Sequence, residues 1–329
     1  MPRKQSSTND RTDTAAAVGF DRPLLLTPGR DLAGYVGRGV GWSVLTAVAF
    51  TSVVAVLLIF VFIIKEAWPF LAGGRIAEMF VSKSWHPTHD PPDFGALSLF
   101  AGSAYATLGA MLIAGPVGVL AAVFLSDIVP FGVRQVLKPI VEILAAIPSV
   151  AYGFFALLVV APWMQRNLGF STGTNILNVT IMLSIMAIPT VVSIAEDALT
   201  AVGRNLREGA YAMGCTRAEM LVKVVIPAAH SGIVAAVILG MMRAVGETML
   251  VWMASGNAAQ IPHPWWDLSQ SIRTLTATIA GEMGEAEKSG EHYRALFALG
   301  LILLAVTFGL NLVSEYFLGR AKRRQGTGG

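Results

Sequence analysis

Two charged residues interrupt an otherwise apolar run, Arg243 and Glu247 in "MMRAVGETML", Met241 to Leu250. Four residues apart, they fall on one face of a helix. Neither is cheaply buried alone in apolar surroundings, so the spacing predicts a mutual pair facing the interior of a helix bundle. A cation at that depth lowers the barrier for an anion, so the chemistry indicated is passage of an anion rather than the making of a bond. A structural salt bridge between helices is the competing reading. Other groupings of reactive residues are weaker. His86, His89, Asp90 and Asp93 lie together in "SWHPTHDPPDF", but three prolines and polar neighbours describe a solvated loop, and no metal site is predicted. Glu142 beside Lys138, and Asp127, read as residues at the ends of apolar segments. No nucleophile stands next to a base, so no catalytic residue is predicted. The single cysteine, Cys215, excludes an intrachain disulfide framework and a cysteine-based zinc site. A G-x-x-x-x-G-K-[ST] loop is absent from the sequence, which leaves the chain without a P-loop cradle for ATP phosphates.

The elements that position Arg243 and Glu247 are read from composition and hydropathy. Hydrophobic residues make up 54% of the 329 and charged residues 14%, against about 25% charged in ordinary soluble domains, and the mean hydropathy is +0.61. The fold class is therefore all-α, a polytopic membrane protein. Nucleic acid is excluded as a partner, because the net charge of +3 is small. Six apolar segments of membrane-crossing length follow one another, at 43–64, 101–125, 143–163, 176–195, 228–253 and 295–318. Before them, residues 1–42 read as a cytoplasmic tail without the apolar core of a signal peptide; after them, residues 319–329 form a short basic tail. With the N-terminus inside, the inner segments carry 16 Lys and Arg and the outer loops 7, with Arg243 inside a span; both termini are expected in the cytoplasm, and the protein in the plasma membrane.

Prolines at "AGPVG" (Pro116), "AAIPS" (Pro148) and "MAIPT" (Pro189) each remove a backbone donor within a span, which kinks a helix that neighbours or water re-satisfy. In the outer loop at about 256–294, Trp265 and Trp266 read as interface anchors. Asp267 is placed to cap an amphipathic helix with Leu268, Ile272, Leu275 and Ile279 on one face. Whether that helix lies on the membrane, covers the path or meets a receptor is left open.

The inner segment at about 205–227, "NLREGAYAMGCTRAEMLVKVVIP", is polar and carries explicit helix punctuation. Asn205 to Met213 suits a helix, Gly214 the left-handed residue that ends it, and Thr216 with Glu219 forms a T-x-x-E capping box for the next. Pro227 is expected to keep that second helix from running on unbroken. Ala210, Tyr211, Met213, Met220, Leu221 and Val224 supply an apolar notch ringed by Arg207, Arg217 and Lys223. A connector packed under its own bundle would show the same pattern.

The spacing in this segment resembles the EAA signature of ABC-importer permeases: "EGAYAMG", nine residues, then "VVIP". Glu208, Ala210, Gly214 and Pro227 match, while Gly209 replaces the usual second residue. The blocks "EILAAIPSVAYGFFAL", "RAVGETMLV", "TLTATIAGEMGEA" and "HYRALFALGLILL" resemble the phosphate-specific, PstC-type subgroup of that family, from the first span to Leu318. The resemblance implies a six-helix type I ABC-importer permease fold and ATP-driven passage of inorganic phosphate by alternating access. It implies a sister permease (PstA-type), two ATP-binding subunits (PstB-type) that carry ATP and Mg²⁺, and an extracytoplasmic phosphate-binding protein (PstS-type). It assigns ATPase coupling to the hairpin residues Glu208, Gly209, Ala210, Gly214, Thr216, Glu219 and Pro227, and the substrate path to Arg243 and Glu247. This chain itself is implied to hold no cofactor. Sulfate or molybdate as the anion, and an ATP-independent secondary transporter, are the alternatives that the residues leave open.

Overall fold

The structure, a computed structural model, describes residues 28–326; most of the N-terminal tail and the last three residues lie outside the described residues. Helices dominate because long runs of Leu, Val, Ile and Ala satisfy their own backbone groups only as helices in an apolar medium. In chain order these are α1 (Pro28–Ala72) and α2 (Ile76–Val81), then α3 (Leu97–Ile128) and α4 (Phe131–Ala146). Next come α5 (Ser149–Leu168) and α6 (Ile176–Thr200), α7 (Arg204–Ala212) and α8 (Arg217–Val245). The chain ends with α9 (Met249–Ala254), α10 (Leu275–Glu282) and α11 (Glu291–Gly326). A two-stranded antiparallel ribbon, Trp85–His86 with Asp93–Phe94, lies between α2 and α3.

Contacts divide the chain into two units, 1–59 and 60–329. The first holds the N-terminal part of α1, with apolar side chains such as Leu45, Val48 and Phe50 exposed. In the second, α3, α6 and α8 form the centre, and small residues bring them together. A Cβ at Gly109 would stand 2.8 Å from Thr180 Oγ1, and one at Gly118 2.8 Å from Val191 Cβ. Close backbone approach of this kind is how helices pack where lipid offers no hydrophobic drive between them.

Among the described residues, five helices are long and apolar enough to cross a membrane: Val40–Ala72, Leu97–Ile128, Ile176–Thr200, Arg217–Val245 and Glu291–Phe317. The expected third span is instead a bent pair, α4 and α5, meeting at 82° across Ile147 and Pro148. Pro148 has no N–H to continue the ladder, and it forces the preceding residue out of the helical region. Pro116 and Pro189 behave differently and lie inside uninterrupted helices.

Pro227 does not break its helix, contrary to the expectation. A π-turn, Leu221–Val225, precedes it, and the Ile226 N–H reaches back five residues to Leu221 O. The same device occurs at Phe124–Ile128 before Val129-Pro130 and at Ala156–Val160 before Ala161-Pro162. Widening the turn by one residue shifts the hydrogen-bond register just ahead of a residue that cannot donate and that clashes with the carbonyl four places back.

Candidate functional site

The hairpin is built as its punctuation predicts. Helix α7 ends in a Schellman arrangement, with Gly214 N–H on Tyr211 O at 2.9 Å and Cys215 N–H on Ala210 O at 3.1 Å. Gly214 sits at φ +81°, in the left-handed region that a side chain penalises. Thr216 Oγ1 accepts from the Glu219 N–H, and Glu219 accepts in return from the Thr216 N–H at 3.1 Å, so the capping box is complete. Lys223 pairs with Glu219 at 3.1 Å, one turn on.

The apolar residues of the hairpin divide between two directions. Ala210, Met220 and Leu221 are buried with Val123, Leu199 and Val225 under the hairpin. Met213, 85% exposed, Tyr211, Leu206 and Val222 face outward. Glu208 and Gly209 are exposed, as is Pro227. The hairpin therefore both packs on its own helices and presents an apolar face away from them.

Its basic residues do not all ring that face. Arg207 turns inward, pairing with the Asp127 carboxylate and donating to Leu199 O at 2.7 Å. Arg217 donates to the main-chain carbonyl of Asp127. Asp127, read from sequence as an interfacial residue, has a side chain only 3% exposed. A second buried carboxylate lies near it on α6. Glu196, 1% exposed, pairs with Arg134 and, at 2.7 Å, with Lys138, both on α4. Lys138 also reaches Asp197 at 3.0 Å, while Glu142 stays its neighbour one turn on along α4, the two lining the same pocket. Sequence reasoning missed Glu196. The available signal was a lone Glu-Asp pair closing an apolar helix, with Arg134 and Lys138 spaced i,i+4 elsewhere.

Arg243 and Glu247 do not form the predicted pair. Helix α8 ends at Val245, so Gly246 to Thr248 leave the helical path and the i,i+4 relation is lost. Arg243, exposed on this chain, donates instead to Ala145 O at 3.1 Å. Glu247, half-buried, accepts from Leu250 N–H at 3.3 Å and caps α9; its own carbonyl accepts from Thr276 Oγ1 at 2.8 Å. Two helix interruptions thus adjoin: one at Ile147 and Pro148, the other at Gly246 to Thr248. Tyr152 donates to Leu144 O at 3.1 Å, so Arg243 and Tyr152 together occupy two of the last three carbonyls of α4. The close fit of Gly153 against Leu250 and Met253 brings the two interruptions together.

In the loop before α10, Asp267 does not cap a helix. It organises a tight turn, accepting from the Ser269 hydroxyl at 2.6 Å and from Gln270 at 2.9 Å, and these bonds, the Ser269 hydroxyl first, hold its carboxyl below the usual range. The helix begins later, at Leu275, with Thr274 as its cap. Trp265 and Trp266 are exposed. Glu282 gathers Arg273 at 2.7 Å, His292 at 2.8 Å and the Trp85 indole at 2.9 Å, tying the ribbon, the loop and α11 together. The His86 and His89 rings stack at 4.6 Å, and among the described residues no group of three or more His, Cys, Asp or Glu is placed to hold a metal.

Residues 114–325 match the family described as the binding-protein-dependent transport system inner membrane component, and the chain belongs to that family. It is 37% identical over 284 residues to the probable ABC transporter permease protein YqgH of Bacillus subtilis, covering 86% of this chain and 91% of that one. It is 37% identical over 265 residues to the phosphate transport system permease protein PstC of Mesorhizobium japonicum, covering 74% and 79%. A PstC of Xylella fastidiosa is 33% identical over 298 residues, covering 83% and 90%. An inward-facing structure of the MetNI methionine ABC transporter superposes with a TM-score of 0.50 at 18% identity, covering 68% of this chain and 94% of that one. The fold is that of the type I ABC importer permeases, and the protein is a multi-pass membrane permease of an ABC transporter.

Proposed function

We propose that this permease carries inorganic phosphate, as the PstC-type half of an ATP-driven importer. The observation that carries the reading is Arg243, a cation exposed beside two adjoining helix interruptions. Discontinuous helices at mid-membrane are where transporters place their substrates, because freed backbone groups and a charge can meet a polar solute there. The names of the PstC relatives support phosphate as that solute. In this reading Arg243 attracts the anion, and Glu247 keeps the second interruption in shape through its bond to Leu250 N–H.

The hairpin from about 205 to 227 docks on a PstB-type ATPase, with Met213 and Tyr211 as its outward apolar contacts and Glu208, Gly209, Ala210, Gly214, Thr216, Glu219 and Pro227 shaping the element. Two such ATPases bind the ATP and Mg²⁺, and this chain binds neither. A PstA-type sister completes the path, and a PstS-type binding protein delivers phosphate from outside. Closure of the ATPases pushes the hairpin, opens the outer side to the loaded binding protein, and releases the anion inward on resetting. Both termini face the cytoplasm in this arrangement, supported by the 16 to 7 distribution of Lys and Arg. The membrane-embedded domain runs from 43 to 318, with lipid against the exposed apolar side chains of α1.

The test is uptake by the four-component complex in proteoliposomes, with sulfate and molybdate as competitors. Phosphate accumulation that needs ATP and resists both competitors is the expected result. Accumulation of sulfate instead would reassign the substrate, and accumulation without the ATPase would remove the importer reading.

A further inference from the structure

Helix α4 has no fully buried side chain, only a half-buried stripe through Leu137 and Val141, so the polar ties near its two ends weigh heavily in its position. Near its start, Arg134 and Lys138, one turn apart, both grip Glu196. Thr200 supports the same group, its hydroxyl accepting from Arg134 at 2.9 Å and lying 3.2 Å from Glu196 Oε1. At its end, Leu144 O and Ala145 O are taken by Tyr152 and Arg243. Eleven residues separate Arg134 from Ala145, roughly 16 Å of helix at 1.5 Å per residue. Glu196 lies in the turn of α6 that ends at Leu199, whose carbonyl receives Arg207 from the hairpin. Every link from hairpin to Arg243 is therefore a rigid helix or a charged hydrogen bond: Arg207 to the end of α6, Glu196 to α4, and α4 to Arg243.

A buried carboxylate facing two cations is a costly way to fix packing, since desolvation offsets much of the attraction and an apolar contact would serve as well. What it gives that an apolar contact does not is a directional grip on one edge of a helix with no fully buried side chain. We infer that Glu196 is a positioning residue that makes α4 follow the hairpin, so that movement of the hairpin shifts the α4 end on which Arg243 rests. This rests on the reading of the hairpin as the docking element and of Arg243 as a path residue.

The experiment compares wild type with Glu196→Gln and with Lys138→Ala, the second leaving Arg134 as a partner for Glu196, in the reconstituted complex. Phosphate moved per ATP hydrolysed is expected to fall about fivefold or more in both, the range of a typical coupling energy, while complex assembly and ATP hydrolysis persist. Glu196→Asp, which keeps the charge, is expected to recover part of the ratio. In parallel, spin labels at the exposed positions Ile143 and Leu112, introduced with Cys215 replaced, report the distance from α4 to α3. Trapping the complex with ATP is expected to change that distance in wild type and to leave it unchanged in Glu196→Gln. An unchanged ratio, a parallel loss of hydrolysis and uptake, or an ATP-driven distance change that survives Glu196→Gln would overturn the inference. The label measurement needs no substrate, so it separates failure of this coupling from an error about phosphate, which would show only in the uptake of competing anions.

Discussion

The two polar regions of this permease are satisfied to very different degrees. At the hairpin end, Glu196 accepts from two cations and Asp127 is held by Arg207 while its carbonyl takes the exposed Arg217; the two carboxylates are buried, and Asp127 Oδ2 and Arg207 Nε are left without a partner. At the helix interruptions, Arg243 makes one bond to a main-chain carbonyl and Glu247 one long bond to an amide. Buried carboxylates gripped by cations are directional contacts suited to transmitting displacement, whereas an exposed cation with a single bond is available to a ligand that can offer more acceptors than Ala145 O does. Hydrogen-bond counting supports the proposed division between coupling at the hairpin and passage at Arg243.

That contrast predicts a ranking of effects. Asp127→Asn leaves Arg207 shielded without its counter-charge, and removing one partner of a buried pair costs about 3–5 kcal/mol; a lowered thermal midpoint and poor recovery of the purified complex are expected, and a midpoint within a degree of wild type would show that the network is not rigid. Arg243→Gln removes a charge-assisted contact of about 2–3 kcal/mol, so phosphate uptake is expected to fall roughly 30- to 150-fold with assembly and thermal midpoint unchanged. Normal uptake would erase the distinction between the two regions. Gly214→Val forces a branched side chain into the left-handed region at a cost of about 1–2 kcal/mol, and weaker co-purification of the ATPase is the expected readout. Smallest of all is the coupling between Arg243 and Glu247: a double-mutant cycle on thermal stability is expected to give less than about 0.5 kcal/mol, the value for independent sites. A coupling of 1 kcal/mol or more would restore the pair that the spacing suggested.

Much of this was legible in the sequence where a single residue decides a local geometry. Gly214 and the Thr216–Glu219 box specified the hairpin because the left-handed cap and the reciprocal N-terminal bonds depend on neighbours within six residues. The importer family followed from the EAA-like spacing of the hairpin, and its phosphate-specific subgroup from the separated blocks. The Arg243–Glu247 pair failed because the i,i+4 rule assumes a continuous helix, and "GET" at Gly246 to Thr248 ends α8 without any proline to announce it. The effect of Pro227 failed for the opposite reason, since a proline that normally breaks a helix was accommodated by a change of hydrogen-bond register that composition does not reveal. Glu196 and Asp127 were passed over because their partners are distant in the chain: 62 residues separate Arg134 from Glu196, and 80 separate Asp127 from Arg207.

The π-turn at Leu221–Val225 has a consequence for how this chain tolerates change in length. The inward stripe of α8 runs through Val225, Ala229, Gly232, Ala236, Gly240 and Ala244 at intervals of three and four, but the step from Met220 to Val225 is five. Deleting one residue there would turn the step of five into one of four, which an ordinary helix carries on the same face, so Met220 would keep its pocket and Met213 its outward heading. Loops elsewhere absorb the gain or loss of a residue; at this point of the chain a helix can absorb a loss, because the widened turn already holds one residue more than an ordinary turn needs.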